Sequence, residues 1–315
     1  MSIVSNKVLV LFGPTAVGKT ATIERLENDD RLPRKPVVVV SADSVQVYRG
    51  LDIGSAKPSR EELGRIRHEL IDVLPPSEPF SVGEFVRLAD EACERAAARG
   101  ALPVLSGGTA YYAKAFLFGP PPAPPSDPAV RDAVASELAA RGPDALRAEL
   151  AAVDPESAAR IAPADLYRIS RAVEVYRCSG RPLSSFAPPA APRERWDALV
   201  VGLDRPRDEL YARIEARVDA MMEAGLEAEV RALIEAGYGP GDPGMKAIGY
   251  AEFLDGSSSR DEAVAAIKLH TRRYAKRQLT FMRSIPGVRW FQADDYDGIS
   301  AAVGSWLGDG PARSP

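Results

Sequence analysis

A glycine-rich loop placed directly after an apolar run most constrains how this chain can fold. Residues 13–20 read GPTAVGKT, a complete G-x-x-x-x-G-K-T pattern, and they follow the run VLVLF at residues 8–12. The glycines let successive backbone N–H groups converge on phosphate oxygens, while Lys19 adds a positive charge and the Thr20 hydroxyl is suited to ligate Mg²⁺ at a helix start. The pattern therefore predicts a phosphate-binding loop made of Gly13, Pro14, Thr15, Ala16, Val17, Gly18, Lys19 and Thr20.

Short apolar runs alternate with helical stretches over the first 118 residues. Such alternation is typical of a parallel sheet with helices on its faces, and a β-branched run such as Val37–Val40 is typical of a strand buried on both faces. Ligands in these folds bind at the carboxyl ends of the strands. We therefore predict an α/β fold of the P-loop NTPase kind, with strands at 7–12, 36–40 and 102–105, helices from Lys19 and near 82–99, and a site at loops 13–20, 41–46 and 106–109.

Two proline-rich stretches delimit a region of different character. Residues 119–128 hold six prolines in ten positions, which neither a helix interior nor a central strand accepts, and residues 187–192 are again rich in proline. The sequence between them has helical spacing, with breaks at Gly142-Pro143, Asp154-Pro155 and Ala162-Pro163. We predict a core domain of residues 1–124 and 195–315, with a small all-helical insertion domain of residues 125–194.

The core sequence resumes after this region. Residues 198–203 and 288–291 read as short strands. Residues 208–235 carry apolar side chains at helical spacing and predict one long amphipathic helix. The tail at 308–315 is expected to be disordered.

Composition excludes several classes of protein. No apolar run approaches the roughly 20 residues that a membrane helix needs, and no basic and then apolar signal segment opens the chain. We therefore expect a cytoplasmic protein without a membrane partner. The two cysteines, Cys93 and Cys178, give neither a disulfide framework nor a zinc spacing.

The net charge of −4 conceals a strongly basic stretch near the C-terminus. No acidic residue occurs between Glu262 and Asp294. A solvated helix usually mixes charges of both signs, whereas this stretch repels itself unless an anion is near, so the pattern favours an anionic partner over a solvated face. On a helix the cations of one face would be Lys268, Arg272 and Lys276, with Arg273 and Arg277 beside them.

Two aspartates are candidates for a catalytic carboxylate. Asp43 lies three residues beyond the run Val37–Val40, and Asp72 lies within the sequence LIDV at 70–73. Either could act as a general base, help to ligate Mg²⁺ or cap a loop, and spacing does not separate them. The turn SGGT at 106–109 offers N–H groups and the Thr109 hydroxyl to a ligand, or it is a plain tight turn.

Several loops taken together resemble one family, the tRNA dimethylallyltransferases. The resemblance runs from residue 8 to about 291 and covers almost the whole chain. Its blocks are GPTAVGKT at 13–20, SADSVQVYRGLDIGSAKP at 41–58, SGGT at 106–109, YRISRAVEV at 167–175, MKAIGY at 245–250 and TRRYAKRQLTFMR at 271–283. The chain departs from the family at Ser106, Tyr167, Ala251 and Phe281, where valine, glutamine, a basic residue and tryptophan are usual.

The resemblance implies a transferase that moves a dimethylallyl group from dimethylallyl diphosphate to N6 of adenosine 37, next to the tRNA anticodon. The products would be N6-isopentenyladenosine and diphosphate. It implies that the phosphate loop, with Mg²⁺ on Thr20, holds the leaving diphosphate, that Asp43 is the base, and that Lys19, Thr20 and Thr109 complete the catalytic group. The acceptor base must then be extruded from its stem-loop before N6 is reachable.

The same resemblance implies contacts with the tRNA anticodon stem-loop in three regions. Arg168 and Arg171 could instead pair with acids inside the helical bundle. We expect Mg²⁺ as the cofactor and a monomeric protein. The implied tRNA contacts are Asp43, Ser44, Val45, Gln46, Thr109, Arg131, Tyr167, Arg168, Ile169, Ser170, Arg171, Lys246, Gly249, Tyr250, Lys276, Arg277 and Gln278.

Three other functions fit parts of the sequence. An adenylate dimethylallyltransferase would share the phosphate loop and Asp43, but the helical insertion and the basic helix argue against it. A small-molecule kinase that binds ATP would need only the phosphate loop. An RNA-binding module with a structural phosphate loop is disfavoured because Lys19, Thr20 and Asp43 are all present.

Overall fold

The computed structural model describes residues 6–33, 35–254 and 259–308. It divides the chain into two compact units, one of residues 1–117 with 193–315 and one of residues 118–192. These limits differ by a few residues from the boundaries expected at 124/125 and 194/195. The first unit is the α/β unit and the second is helical throughout its described secondary structure.

A fully parallel six-stranded sheet organises the α/β unit, in the order β3-β2-β4-β1-β5-β6. The expected α/β fold with a parallel sheet is thereby confirmed. The short edge strand β3 was missed because its sequence, RHE, contains no apolar run. The strands are β1 (Lys7–Phe12), β2 (Val37–Ser41), β3 (Arg67–Glu69), β4 (Leu102–Gly107), β5 (Asp197–Asp204) and β6 (Arg289–Gln292).

A helix follows each of the first four strands, as parallel connections require. The loop after β1 ends at Gly18, and β2 is buried along its whole length, as its valines predict. These helices are α1 (Lys19–Glu27), α2 (Arg60–Arg65), α3 (Val82–Ala98) and α4 (Ala110–Phe118).

The helical unit confirms the expected breaks at its proline pairs. Three of its helices begin with proline, which fits the first turn because the N–H that it lacks has no intrahelical partner there. Its core contains Val134, Leu146, Leu150, Ile169 and Val173. The helices are α5 (Pro128–Arg141), α6 (Pro143–Val153), α7 (Pro155–Arg160) and α8 (Leu166–Ser179).

The expectation of a single helix over residues 208–235 is wrong. The chain forms α9 (Arg207–Glu223) and α10 (Leu226–Glu235), and it turns between them at Gly225, whose φ is +99°. Glycine adopts this left-handed region without steric cost, so it ends α9 and lets α10 start in a new direction.

Two further helices complete the α/β unit. They are α11 (Arg260–Met282) and α12 (Tyr296–Gly308). Of the tail predicted to be disordered, Gly308 is the last residue of α12, and residues 309–315 lie outside the described part of the chain.

Helix α9 joins two parts of the core of the α/β unit. Leu210 and Ile214 pack in a cluster with the sheet, while Val218 and Met222 pack in a second cluster with α10 and Tyr250. A helix held at both ends by buried side chains is a rigid support for the polar residues that it carries between them. In the described part of the chain, no helix is both long and apolar enough to cross a membrane.

Candidate active site

The predicted loops meet at the carboxyl ends of three neighbouring strands. Strands β2, β4 and β1 are adjacent in the sheet, and their following loops carry Asp43, Thr109 and the phosphate loop. A cavity of about 670 Å³ opens there. It is lined by most of the phosphate loop, by Asp43 to Gln46, and by residues of α9 and α11. The structure therefore brings together segments that are distant in sequence.

The phosphate loop leads into the first turn of α1. Gly18 precedes the helix with φ +124°, and no side chain caps it, so the first-turn N–H groups carry their partial positive charge toward the cavity edge. A Cβ on Gly13 would lie 2.8 Å from Val17 Cγ1, which requires glycine there. Lys19 Nζ donates to the carbonyls of Gly13 at 2.9 Å and Pro14 at 3.0 Å. The loop thus holds its own lysine.

Positive side chains dominate the cavity wall. Six lysine and arginine side chains line it against three carboxylates, so the cavity favours an anion. Three of them, Lys57, Arg213 and Arg217, were not predicted as site residues, although the i,i+4 spacing of the two arginines on α9 is visible in the sequence. Arg213 Nε donates to the Ala16 carbonyl at 2.8 Å, and Arg217 Nη1 lies 3.4 Å from the Thr15 hydroxyl.

Burial in the cavity wall lowers the proton affinity of two of these cations. Burial, and then the charge of Arg217, lower the pKa of Lys19 from 10.5 to about 8, although Asp43 opposes the shift. Burial also lowers the pKa of Arg217, again against the effect of Asp43. An incoming polyanion would relieve this repulsion.

Of the two candidate aspartates, Asp43 is the one that the structure places at the wall of this cavity. Its Oδ1 accepts hydrogen bonds from the N–H groups of Val45 at 2.9 Å and Gln46 at 3.3 Å. Asp72, the other candidate, pairs instead with Lys57 at 2.6 Å and lines a neighbouring cavity. Because the Lys57 side chain is only 4% exposed, this pair is a structural tie. Geometry therefore separates the two aspartates where spacing did not.

The turn after β4 packs against the loop that carries Asp43. Thr109 Oγ1 accepts from the Ser44 N–H at 3.0 Å and donates to Ser44 Oγ at 3.2 Å. A Cβ on Gly107 would clash with the Ala42 carbonyl, so the turn can approach this closely only with glycine there. The turn thus fixes the loop beside Asp43.

Tyr274 of α11 was missed as a lining residue, although it lies in the block TRRYAKRQLTFMR. Burial, and then the charge of Asp43, raise its pKa to about 12, while hydrogen bonding to Thr109 and Gln278 opposes the shift. Its phenol is therefore neutral at ordinary pH, and the Asp43 carboxylate is close enough to interact with it electrostatically.

The implied tRNA contacts through the side chains of Tyr250 and Ile169 are not compatible with their positions, whereas Gln46 and Gln278 line the cavity and also hold neighbouring loops in place. Gln278 is 4% exposed, and its amide links the loops: Oε1 accepts from the Thr15 N–H at 3.1 Å and Nε2 donates to the Gly108 carbonyl at 2.7 Å. Tyr250 is fully buried, Ile169 belongs to the core of the helical unit, and both ends of the Gln46 amide bond to neighbouring residues. The two buried side chains Tyr250 and Ile169 therefore support the fold, and the contacts implied for Gln46 and Gln278 stay a prediction.

Other implied contacts remain accessible. In the helical unit Tyr167 is 82% exposed, and Arg131 and Arg168 are exposed beside Asp132 and Asp165. Exposed ion pairs of this kind contribute little energy, so these arginines are readily redirected to a phosphate. In the α/β unit the corresponding residues on the cavity wall are Ser44, Val45, Lys246, Gly249 and Arg277, and Lys276 is exposed on α11.

Arg171 forms an ion pair within the helical unit, which was the alternative to its implied contact with tRNA. It pairs with Glu174 at 2.9 Å on its own helix and donates to the Pro124 carbonyl. Its neighbour Ser170 is partly buried on the same helix.

We expected an anionic partner for the whole basic stretch between Glu262 and Asp294. This expectation is wrong for Lys268 and Arg272, which pair with acidic residues of this chain. Lys268 pairs with Asp219 at 2.6 Å and Arg272 pairs with Glu215, both on α9. Tertiary packing thus brings acids from another helix, which the local sequence does not reveal. The prediction stays for Arg277, which lines the cavity.

Fold and site together define an α/β protein in which a G-x-x-x-x-G-K-T loop and a carboxylate face one cation-lined cavity. The family model described as IPP transferase matches residues 46–285, and that described as isopentenyl transferase matches residues 6–80. The chain is 43% identical over 307 residues to a tRNA dimethylallyltransferase of Geobacillus kaustophilus, covering 95% of this chain and 94% of that one. It is 44% identical to one of Thermomicrobium roseum, covering 90% and 85%.

Two solved structures extend the similarity to three dimensions. The full-length tRNA isopentenylpyrophosphate transferase of Bacillus halodurans has a TM-score of 0.67 at 36% identity, covering 96% of this chain and 99% of that one. A eukaryotic dimethylallyltransferase acting on tRNA has a TM-score of 0.78 at 25% identity, covering 98% and 81%. The chain belongs to the tRNA dimethylallyltransferase family, a family of prenyl-transferring enzymes.

Proposed function

We propose that this protein transfers the dimethylallyl group of dimethylallyl diphosphate to N6 of adenosine 37 in tRNA. The observation that carries the proposal is the convergence of the phosphate loop and Asp43 on one cation-lined cavity, in a chain of this family. The cavity, at about 670 Å³, is of the size that holds small substrates.

The diphosphate binds at the start of α1, where uncapped N–H groups, Lys19 and Arg217 face it. As the allylic C–O bond breaks, its electron pair passes to the diphosphate, and these charges stabilise the leaving group. The N6 lone pair forms the new C–N bond, and Asp43 accepts the proton that N6 loses. Atoms and charges balance with diphosphate and N6-alkylated adenosine as products.

The lining residues fit a Mg²⁺ ion that arrives with the diphosphate. Within the described residues, no three His, Cys, Asp or Glu side chains form a group able to hold a metal ion by themselves. Mg²⁺ usually combines one or two protein oxygens with substrate phosphates and waters, and Thr20 offers such an oxygen at the cavity wall. When bound, the ion would neutralise charge on the diphosphate.

The acceptor is a tRNA anticodon stem-loop with its target base extruded into the cavity. Arg277 and Lys246 on the cavity wall, with Arg131, Tyr167 and Arg168 on the helical unit, are the proposed RNA contacts. RNA loops are bound by such mixtures of cations and aromatic rings. Because the proposed chemical groups all come from one chain, we propose a monomer. We also propose a cytoplasmic location, because the proposed substrate is tRNA.

The test supplies purified protein with Mg²⁺, dimethylallyl diphosphate and unmodified tRNA. The tRNA is digested and its nucleosides are separated by mass spectrometry, with isopentenyladenosine as the expected product. A parallel reaction replaces tRNA with AMP, and another replaces the donor with ATP. Product formed in AMP alone would move the protein to the free-nucleotide class, and phosphate transfer from ATP without prenyl transfer would establish a kinase.

A further inference from the structure

We propose that Glu229 is a positioning residue for the reaction, because its carboxylate anchors the segment of residues 52–56 that holds the Asp43 loop in place. The inference rests on the proposed function. Glu229 lies on α10, far in sequence from every catalytic residue, and it acts through two intermediate sets of hydrogen bonds.

The first set joins Glu229 to the backbone of three consecutive residues. Its Oε2 accepts from the N–H groups of Asp52 at 3.1 Å and Ile53 at 2.8 Å, and its Oε1 accepts from those of Ile53 at 3.1 Å and Gly54 at 3.2 Å. Three successive N–H groups around one carboxylate form an anion-binding nest, and hydrogen bonds to a charged acceptor are stronger than neutral ones. The nest fixes the local path of the chain.

Tyr250 holds the same carboxylate from the other side. Its hydroxyl donates to Glu229 Oε1 at 2.6 Å, and its ring packs on Gly54, where a Cβ would lie 2.5 Å from Tyr250 Cε2. Burial, and then the charge of Glu229, raise the pKa of Tyr250, so the phenol stays a proton donor. The buried residue expected to touch tRNA is thus part of this anchor.

The second set leads from the anchored segment to Asp43. Gln46 Nε2 donates to the carbonyls of Ser55 at 3.3 Å and Ala56 at 3.2 Å, and Gln46 Oε1 accepts from the Ser41 hydroxyl at 2.9 Å. The backbone N–H of Gln46 donates in turn to Asp43 Oδ1. Residues 54–58 also line the cavity, so their path shapes the space for the acceptor.

Loss of the anchor should therefore disturb the acceptor side of the site more than the donor side. The phosphate loop has its own ties to Gln278 and Arg213, which do not involve Glu229. A small displacement of a catalytic group costs about a hundredfold in rate when the reacting atoms must be aligned. We expect kcat to fall about tenfold to a hundredfold in Glu229→Gln, with KM for dimethylallyl diphosphate unchanged.

The experiment compares the full-length Glu229→Gln and Glu227→Gln proteins with wild type. Glu227→Gln is the matched control because it removes the same charge from the same helix. The partners of Glu227 are Arg231 and Arg260 on the surface, and not the segment of residues 52–56. Steady-state prenylation of tRNA gives kcat and both KM values. Hydrogen exchange of the peptide covering residues 48–58 reports the anchor directly and does not depend on catalysis.

The proposal is supported if Glu229→Gln alone exchanges faster in this peptide and loses kcat at constant donor KM. It is overturned if exchange rises while kcat stays at the wild-type value, or if neither changes. If Glu229→Gln does not fold, Tyr250→Phe decides in its place, because it keeps the carboxylate and removes one hydrogen bond. A wild-type protein without prenyl transfer would refute the proposed function, whereas the exchange result would still test the anchor.

Discussion

Lys19 and Arg217 lie together at the wall of one cavity, and we expect the charge state of Lys19 to make donor binding sensitive to pH. Burial and Arg217 lower the pKa of Lys19 to about 8, so the free enzyme loses this charge as pH rises through that value. A bound diphosphate favours the charged lysine and raises the pKa again. The pH dependence is therefore expected for the enzyme without bound donor, and less for the donor complex.

We predict that kcat/KM for dimethylallyl diphosphate falls as pH rises through about 8, while kcat at saturating donor falls less. Arg217→Met removes a charge that lowers the pKa of Lys19, so it should move the fall to higher pH. It should also weaken donor binding about tenfold or more, because a hydrogen bond to a charged group is lost. Initial rates on both sides of about pH 8 measure these effects. A fall at the same pH in both proteins would contradict this electrostatic coupling.

Some residues of the site are marked by a local sequence pattern, whereas others are defined only by contacts with residues that are distant in the sequence. The phosphate loop consists of eight consecutive residues and was predictable from its pattern, whereas the strand before Asp43 marked it only as one of two candidate aspartates and the family resemblance chose between them. Gln278 bonds to Thr15 across 263 positions, and Glu229 bonds to Gly54 across 175. No local pattern encodes such pairings, since they depend on how helices pack against the sheet.

At the level of elements, the break between α9 and α10 depends on one residue. Gly225→Ala should destabilise the protein by about 1–2 kcal/mol, because φ of +99° is unfavourable for a residue with a Cβ. Gly64→Ala is the matched control: Gly64 lies within α2 with open space around its Cα, so alanine should stabilise the protein by about 0.5–1 kcal/mol. Denaturant unfolding measures both. Equal effects of the two substitutions would refute the assigned role of Gly225.

Helix α11 carries cations of two kinds. Arg272 pairs with Glu215 on α9, whereas Arg277 is exposed and lines the cavity. Arg277→Ala should weaken tRNA binding and reduce the slope of log affinity against log salt concentration by about 1. Arg272→Ala removes the same charge but should leave that slope unchanged. Titrations of the protein with tRNA at several salt concentrations measure these slopes. Equal slopes in the two variants would contradict the distinction between a paired Arg272 and an RNA-binding Arg277.

For the molecule as a whole, sequence pattern predicted the parallel sheet, its principal strands and the helical insertion. The apolar runs and proline pairs that mark these features act locally. The edge strand β3, of only three residues, and the helices α2, α4 and α12 were missed, and the turn at Gly225 was overlooked. Apolar periodicity continues across Gly225 because both helices pack on the same core, so the pattern alone concealed the change of direction.

The proposed mechanism requires that Asp43, and not Asp72, takes the proton from the acceptor amine beside the phosphate loop. The most direct measurement is the single-turnover rate of isopentenyladenosine formation in Asp43→Asn and Asp72→Asn, with saturating donor and tRNA. We predict a rate about 10²–10⁴-fold below wild type for Asp43→Asn, with tRNA affinity retained, and a rate near wild type for Asp72→Asn. A wild-type rate in Asp43→Asn, or an equal loss in both variants, would contradict it.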